Sequence, residues 1–325
     1  MVGLSLVAVT AVLLYRLFRR HTDSSSLGAI LAFVTLELVA VVQIESLSLF
    51  AAYRRWPVTV LWGLVAACVW LALRRAPRPA RSCFSFDVWE WIVGAACACL
   101  LAGTLVGALW GTPNTWDALT YHLPRVMHWL QDASIAHYPT AIPRQLKMPP
   151  LAEILLSQTV LLSGGDRLVN LVQWSTYGVA ALGIYAIVRS AGLPRLAGMC
   201  GALLFLSVPI AVLQASGPKN DVVTCANVAA TIAFLHVGTR ELRWGWIFAG
   251  AMALGAAILT KGTSFLLGGV IAALFAAVVL WRHGGRNSLR AIALLALVVG
   301  VINGGHWSRN VRWFGTPLGP QSAAR

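Results

Sequence analysis

The stretch WIVGAACACLLAGTLVGALW, residues 91–110, is followed six residues later by WDALTYHLPR, residues 116–125. The first stretch is uncharged and twenty residues long, which is enough for a helix to cross a hydrocarbon core about 30 Å thick. The second brings an acid, a phenol, an imidazole and a guanidinium into ten residues. This junction predicts a membrane helix that leads into a chemically active loop at the membrane edge.

The rest of the chain repeats the apolar pattern. Of its 325 residues, 58% are hydrophobic and only 11% are charged, whereas a soluble domain carries roughly 25% charged residues. The sequence therefore predicts an all-α polytopic membrane protein with about ten transmembrane helices. The expected spans are 2–18, 27–48, 57–74, 90–111, 168–188, 195–214, 221–238, 244–260, 263–281 and 289–304.

Two segments depart from this pattern. Residues 150–162 are apolar but short, and they predict a re-entrant or interfacial helix. They lie in the loop 112–167, which is too long for a simple connection and therefore indicates a functional role. The tail 305–325 is polar, aromatic and rich in turn residues, so we expect a substrate-facing loop there.

The net charge of +14 would point to nucleic acid in a soluble protein. Here the arginines collect in alternate loops, as the positive-inside rule predicts for cytoplasmic loops, and we expect no nucleic-acid partner. Arg54 and Arg55 are the exception, because they fall on the outer side. The arginine-rich segments are 16–20, 74–81, 189–195, 240–243 and 282–290.

This orientation places the loop 112–167, the turns 214–221 and 260–263, and the tail on the outer face. All three lysines and four of the seven histidines lie on that face. Positive charge on a face that usually avoids it favours a bound anion, such as a phosphate or pyrophosphate.

Asp117 has two interpretations. It is a general base that deprotonates an acceptor hydroxyl, or a metal ligand. Alternatively, it is the N-cap of a helix over 118–131 and needs no substrate.

If 118–131 is a helix, Arg125 shares a face with both Tyr121 and His122. These side chains then form part of a catalytic site, or they contact lipid headgroups from an interfacial helix. Arg144 and Lys147 are three residues apart and together could bind a phosphate.

Glu153 lies in the otherwise apolar segment 150–162. A lone acid there is costly unless it is paired, so we expect Arg144 or Lys147 as its partner. The pair would belong to the site or be a structural salt bridge.

Two further turns carry lysines. One span begins with Lys219, Asn220 and Asp221. In a functional interpretation, Lys219 binds a phosphate and Asp221 orients the phosphate or the sugar. In a structural interpretation, Asn220 or Asp221 only caps the helix. Lys261 follows the next span, 244–260, at the same face, as a second phosphate ligand or as a snorkelling side chain.

These motifs, in this order, resemble the GT-C membrane glycosyltransferases, in particular the bacterial branch related to protein O-mannosyltransferases and aminoarabinose–lipid A transferase. The resemblance covers residues 90–320. The matching motifs are WDALTYHLPR (116–125), MPPLAE (148–153), Gly164-Gly165-Asp166-Arg167, Pro218-Lys219-Asn220-Asp221 and Leu259-Thr260-Lys261-Gly262.

The resemblance implies an active site facing the periplasm from the bacterial inner membrane. It implies a polyprenyl-phosphate-linked sugar as donor and a lipid, glycan or protein as acceptor. Asp117 matches the loop acid that activates the acceptor. The candidate phosphate ligands are Lys219, Lys261, Arg125, Arg144 and Lys147, because a phosphate leaving group needs cationic stabilisation. Residues 86–325 would form the GT-C-like core, shorter than is usual at its C-terminal end, and 1–85 a three-helix N-terminal membrane extension.

One departure bears on the cofactor. Relatives often carry a second acid near the first in this loop, whereas the next acid here is Asp132. Since a divalent metal prefers clustered carboxylates, a metal is only weakly supported and we expect no cofactor.

Two other functions stay open: a transporter or flippase for a lipid-linked sugar, and an inactive binding subunit. A transporter places ionisable residues near the bilayer midplane, often in paired repeats. Here only Glu37 lies deep in a span and no internal repeat is visible, which favours an enzyme.

Overall fold

The computed structural model describes residues 2–22, 24–77 and 85–320. Within these ranges the chain forms fourteen α-helices and one π-helical turn. The α-helices are α1 (Val2–His21), α2 (Ser25–Ser48), α3 (Arg55–Arg75), α4 (Val88–Trp110), α5 (Leu123–Asp132), α6 (Arg144–Lys147), α7 (Leu151–Ser163), α8 (Asn170–Ser190), α9 (Arg195–Leu206), α10 (Pro209–Gln214), α11 (Asp221–Arg240), α12 (Trp244–Thr260), α13 (Ser264–His283) and α14 (Gly285–Phe314).

Eight of the described helices are long and apolar enough to cross a membrane, namely α1, α2, α3, α4, α8, α11, α13 and α14. The predicted all-α polytopic membrane fold is confirmed. Three shorter apolar helices, α7, α9 and α12, occur in the same described ranges. Of these, α12 has 17 residues and is largely buried between α11 and α14.

The predicted span 195–214 is not one continuous helix. It consists of α9 and α10, which are separated at Ser207 and Val208. Pro209 is the physical reason, because it lacks an amide N–H and disfavours helical geometry at the residue before it.

The segment predicted as a short re-entrant or interfacial helix is α7. Its 13 residues reach about 20 Å, too short for a span. Its re-entrant or interfacial position in the membrane stays a prediction. Most of its residues are buried, chiefly against α2 and α5. Arg55, at the start of α3, donates hydrogen bonds to the carbonyls of Leu161 and Leu162 at its end.

The prediction of a loop from residue 305 is wrong, since α14 continues to Phe314. Arg309 pairs with Glu45 of α2 through two hydrogen bonds of 2.6 and 2.8 Å. A Cβ at Gly305 would lie 2.6 Å from a Glu45 carboxylate oxygen, so the glycine makes room for this pair. The residues from 321 onward lie outside the described chain, as do Arg78 and Arg81 of the arginine-rich set.

The chain topology defines two faces of the bundle. We call the end that holds the starts of α8, α11 and α13 the site face, and the other end the opposite face. The loop after α4 and the C-terminal ends of α2, α12 and α14 also lie at the site face.

The three N-terminal helices pack onto the remaining helices. Ile30 and Val34 of α2 share an apolar cluster with Phe234 of α11 and Trp246 of α12. The division at residue 85 stays a prediction, and 78–84 fall outside the described ranges.

Candidate active site

The loop that follows α4 begins with a π-helical turn, Ala118–His122. The amide of Leu123 donates to the carbonyl of Ala118, five residues earlier, which is the π pattern. Such turns are frequent at functional sites because they displace side chains from the regular helical register. Here the turn sets the directions of Tyr121 and His122.

Asp117 does not cap this helix. It already has helical backbone angles, and its side chain makes no capping hydrogen bond. The capping oxygen is instead that of Thr115, which accepts from the amide of Ala118 at 3.4 Å. The N-cap interpretation of Asp117 is therefore wrong, and its carboxylate is left for another role.

Gln145, which is 25 residues after Thr120, stabilises the π turn through a side-chain hydrogen bond. Pro124 has no N–H to give to the carbonyl of Thr120, and the side-chain amide of Gln145 donates to that carbonyl at 2.8 Å. The carbonyl oxygen of the Gln145 side chain accepts from Tyr138 at 3.1 Å and from Thr140 at 2.9 Å. One buried side chain thus joins the turn to the later part of the loop.

Glu153 pairs with residues other than those predicted. Its Oε1 atom lies 3.0 Å from Nδ1 of His122 and 3.5 Å from Nη1 of Arg125, and all three side chains are buried. Burial by itself would raise the pKa of Glu153, but His122 and Arg125 bring it below its ordinary value. The predicted partners Arg144 and Lys147 were wrong because the π turn brings residue 122 to the start of α7.

Arg125 is held on several sides at once. It donates to the carbonyls of Met148 at 2.8 Å and Leu146 at 3.1 Å, in addition to its pairing with Glu153. Arg125 therefore connects α5 to the segment before α7 and has little freedom to move towards a ligand.

The two basic residues of α6 differ in environment. Arg144 is exposed, with no hydrogen-bond or ion-pair partner in the described part of the chain. The ammonium of Lys147 donates to the carbonyl of Pro320 at 2.7 Å and so holds the segment after α14.

Several charged groups influence the pKa of the Tyr121 phenol. The pKa of its phenol is raised well above the ordinary range, chiefly because the ring is half-buried. The negative charges of Asp117, Glu153 and Asp221 raise it further, and Arg144 lowers it. Four charged groups from three parts of the sequence thus influence the pKa of one hydroxyl.

Asp117 and Tyr121 are polar residues of the loop after α4 whose side chains are available for a ligand. Each is partly exposed, and neither side chain has a hydrogen-bond partner among residues 2–22, 24–77 and 85–320. A carboxylate and a phenol at a membrane edge are therefore available to a substrate.

Asp221 and Lys261 form a salt bridge between the start of α11 and the end of α12. About a third of each side chain is exposed, so the pair is accessible from the site face. Asn220 donates from its side-chain amide to the carbonyl of Thr260 at 3.2 Å and joins the same two helices. Asn220 occupies the cap position of α11, but its side chain makes no capping bond.

The cap of α11 comes from Gln173, on α8. Its buried side-chain carbonyl accepts from the amides of Val222 at 3.0 Å and Val223 at 3.2 Å. This contact fixes the turn that carries Lys219, Asn220 and Asp221. The sequence analysis missed Gln173, although a polar side chain inside an apolar span was the available signal.

Lys219 is partly buried beside this turn. Its ammonium has no hydrogen-bond or ion-pair partner in the described chain, whereas those of Lys147 and Lys261 both do. Of the three lysines, it is the one whose charge is not already compensated or engaged.

A cavity of about 240 Å³ opens beside Gly262, between the end of α12 and the start of α13. Its walls include Lys147, Gly262, Phe265, His306 and Trp307. The buried Nδ1 atom of His306 has no hydrogen-bond partner in the described residues. The cavity combines apolar and cationic walls, which suits an amphipathic ligand.

The described part of the chain holds no group of three or more His, Cys, Asp or Glu side chains that could bind a metal ion.

Comparison with known proteins identifies one family. Residues 147–303, somewhat less than half of the chain, match the model of the dolichyl-phosphate-mannose-protein mannosyltransferases. This match supports a multi-pass membrane glycosyltransferase of the GT-C type that takes sugar from a lipid-linked donor. No curated protein and no solved structure matches the chain.

The matched region contains α7, the turn before α11 and the end of α12, with Glu153, Lys219, Asp221 and Lys261. WDALTYHLPR lies outside it, so the role of Asp117 depends on the geometry alone.

Proposed function

We propose that this protein is an inverting glycosyltransferase that moves a hexose or pentose from a polyprenyl-phosphate carrier to a hydroxyl of a lipid, glycan or protein. The observation that carries the proposal is the carboxylate of Asp117, which has no partner in the described chain, at the same face as the partly exposed Asp221–Lys261 salt bridge. This arrangement combines an unpaired carboxylate with cations at the membrane edge. A substrate with a sugar, a phosphate and a lipid chain requires these groups together.

The reaction is a single displacement. The acceptor oxygen attacks the anomeric carbon of the sugar, and its proton passes to the carboxylate of Asp117. The bond from the anomeric carbon to the phosphate oxygen breaks, and its electron pair stays on the leaving polyprenyl phosphate. Because attack and departure take place on opposite sides of one carbon, the anomeric configuration inverts.

Asp117 fits the role of general base for two reasons. Its carboxylate makes no hydrogen bond or ion pair within the described chain, so an acceptor hydroxyl does not have to displace an existing partner. Asp117 lies immediately before the π turn, which the Gln145 bond to the Thr120 carbonyl holds in place. The carboxylate is thus available and held in place, as a general base requires.

The leaving phosphate is stabilised by cations at the start of α11 and around it. Lys219 and the exposed Arg144 provide charges that no acid of the described chain pairs with. Lys261 adds a third charge, and Asp221 fixes its direction through the salt bridge. We assign Asp221 a second role, contact with the sugar, because its carboxylate is partly exposed beside Tyr121.

The remaining candidates position the site. Glu153, His122 and Arg125 form a buried group that holds the π turn against α7. Asn220 holds the α11 turn against α12. Lys147 lines the cavity beside Gly262, where we place the first part of the carrier chain. Beyond it, Leu266 of α13 is 77% exposed and offers an apolar path into the bilayer.

We place the site face outside the cytoplasm, in a bacterial inner membrane. The helix ends at the opposite face carry arginines, including Arg19, Arg189, Arg240 and Arg282. Excess positive charge marks the cytoplasmic side of membrane proteins.

The test uses purified protein in liposomes with radiolabelled polyprenyl-phosphate mannose or pentose and a membrane-derived acceptor fraction. We expect release of polyprenyl phosphate and a product whose anomeric configuration, determined by NMR, is the opposite of the donor's. Translocation of intact donor without cleavage would contradict the proposal and identify a flippase. Retention of configuration would contradict the single displacement.

A further inference from the structure

A second and larger cavity lies at the opposite face of the bundle. It has a volume of about 1140 Å³ and lies between the ends of α1, α8 and α11 and the start of α2. Since α8 and α11 have 21 and 20 residues, about 30 Å of helix separates this cavity from Asp221. It is therefore distinct from the candidate active site.

The walls of this cavity are strongly basic. Among the residues that the structure describes, five arginines line it against a single acid, Glu241. They come from separate parts of the sequence, two from α1, one from α8 and two from the end of α11 and the turn after it. The five are Arg19, Arg20, Arg189, Arg240 and Arg243.

Helix capping explains part of this arrangement. Arg20 donates to the carbonyl of Ala76 at 2.9 Å, Arg189 donates to that of Leu193, and Arg240 to that of Ser190. Each of these bonds uses one or two of the five N–H groups that a guanidinium carries. The side chains are thereby fixed around the cavity and keep further donors.

The positive-inside rule explains arginines near helix ends, but it does not require them to surround one concave space. Arg286 and Arg290, at the start of α14, show the ordinary case, because both are exposed and neither lines the cavity. The convergence of charges from α1, α8 and α11 thus needs a further reason.

The other walls carry hydroxyls and some apolar surface. Thr22, Ser24 and Ser25 lie at the start of α2, where the helix dipole favours an anion. Leu182 and Val237 line the side towards the membrane interior. The cavity is much larger than a single phosphate group and has one charged and one apolar side.

We propose that this cavity binds the phosphate headgroup of an anionic phospholipid, with the arginines around the phosphate and the glycerol and upper acyl chains against Leu182 and Val237. Basic pockets between transmembrane helices are known to suit such headgroups. A bound lipid would join α1 and α2 to α8 and α11. The proposal does not depend on the transferase activity.

The test is native mass spectrometry of the purified full chain in detergent, with equal amounts of phosphatidylglycerol and phosphatidylcholine. We expect phosphatidylglycerol to bind preferentially. Arg19→Gln removes a cavity charge for which no side-chain hydrogen bond is observed in the described chain, and it should weaken binding by about fivefold. Glu241→Gln removes the opposing acid and should strengthen binding.

The matched control is Arg286→Gln, which deletes the same charge at the same face but outside the cavity. It should leave lipid occupancy unchanged. Equal losses from Arg19→Gln and Arg286→Gln, or no preference for phosphatidylglycerol in the wild type, would overturn the proposal. If Arg19→Gln fails to fold, Glu241→Gln tests the proposal instead, and a failure to strengthen lipid binding in that variant would overturn it.

A parallel titration adds inorganic phosphate or glycerol phosphate to the lipid-loaded protein. We expect no displacement at millimolar concentration, because neither compound contacts the apolar side of the cavity. Displacement by inorganic phosphate would overturn the lipid assignment and identify a site for a soluble phosphate compound.

Discussion

Nδ1 of His122 lies 3.0 Å from Oε1 of Glu153, and neither side chain is accessible to solvent. The two residues are 31 positions apart. Their contact fixes the π turn to α7, and Arg125 completes the group from the same side. Of the reactive residues of the proposed site, Tyr121 lies on the turn that this buried group holds, and Asp117 lies immediately before it.

The first prediction concerns this group. Glu153→Gln leaves the buried charge of Arg125 without its acid, so the free energy of unfolding should fall by about 3–5 kcal/mol. The measurement is chemical unfolding in detergent micelles. The control is Asp166→Asn, which alters an exposed acid just after α7 and should change the free energy of unfolding by less than about 0.5 kcal/mol. Equal stability of Glu153→Gln and wild type would show that the pair does not hold the turn.

The second prediction concerns Gln145. Gln145→Leu leaves the Thr120 carbonyl and the Tyr138 hydroxyl without their buried partner, at a cost of roughly 1–3 kcal/mol. Because the turn then loses its support, transfer activity should fall as well. Gln131→Leu, at an exposed position of α5, should affect neither quantity. An unchanged turnover number in Gln145→Leu would separate the π turn from catalysis.

The third prediction concerns the donor phosphate. A hydrogen bond to a charged group is worth about 1.5–3 kcal/mol, so Lys219→Gln should lower kcat/KM by roughly 10- to 100-fold. Steady-state kinetics with varied donor concentration measure this loss. Arg312→Gln removes an exposed charge at the end of α14, on the same face, and should cost less than about twofold. Equal effects of both substitutions would indicate general attraction rather than a phosphate site.

The fourth prediction is a pH dependence that arises from His137. Burial lowers the pKa of His137 to about 4, with help from the charges of Arg125 and Arg309, while a hydrogen bond to Asn310 acts in the opposite direction. In the unfolded chain His137 has its ordinary pKa, about 6.5. As the pH falls, the unfolded state therefore binds a proton at this histidine before the folded state does. The stability should fall between pH 6.5 and about 4 and then level off.

Thermal unfolding at pH 7 and pH 5 measures this effect. His137→Gln keeps a polar side chain beside Asn310 and removes the titrating group, so its unfolding temperature should drop less than that of the wild type over the same interval. An equal drop in both proteins would assign the pH dependence to other groups.

The sequence was sufficient where a signal is local. The uncharged run 91–110 predicted α4, and the short run 150–162 predicted a helix that does not span. The accumulation of polar residues in WDALTYHLPR predicted where to look for the site. These predictions depend only on the composition and length of segments of about twenty residues, which can be read directly from the sequence.

The sequence was insufficient where a partner is distant or the backbone is irregular. The Glu45–Arg309 pair joins residues 264 positions apart, and without it residues 305–314 read as a loop. Gln173 caps a helix that begins 48 residues later, so its role is not visible in its own span. Glu153 was assigned to nearby Arg144 and Lys147 because no periodicity reveals that a π turn brings His122 to α7.

The same limit applies to the functional residues. The proposed grouping of Asp117, Tyr121, Asp221 and Lys261 depends on how the loop after α4 packs against the start of α11, where Leu123 and Val126 share an apolar cluster with Val223. The sequence indicated that these residues share a face, and the structure adds which of them interact and which have no partner within the described chain.

The proposed role of Asp117 as general base is tested by measuring the transfer of radiolabelled sugar by Asp117→Asn. The matched control is Asp132→Asn, which alters an exposed acid of the same loop. We predict that Asp117→Asn lowers turnover by about 10²- to 10⁴-fold while the affinity for the lipid-linked donor is kept, and that Asp132→Asn has wild-type activity. Wild-type turnover in Asp117→Asn would contradict the account.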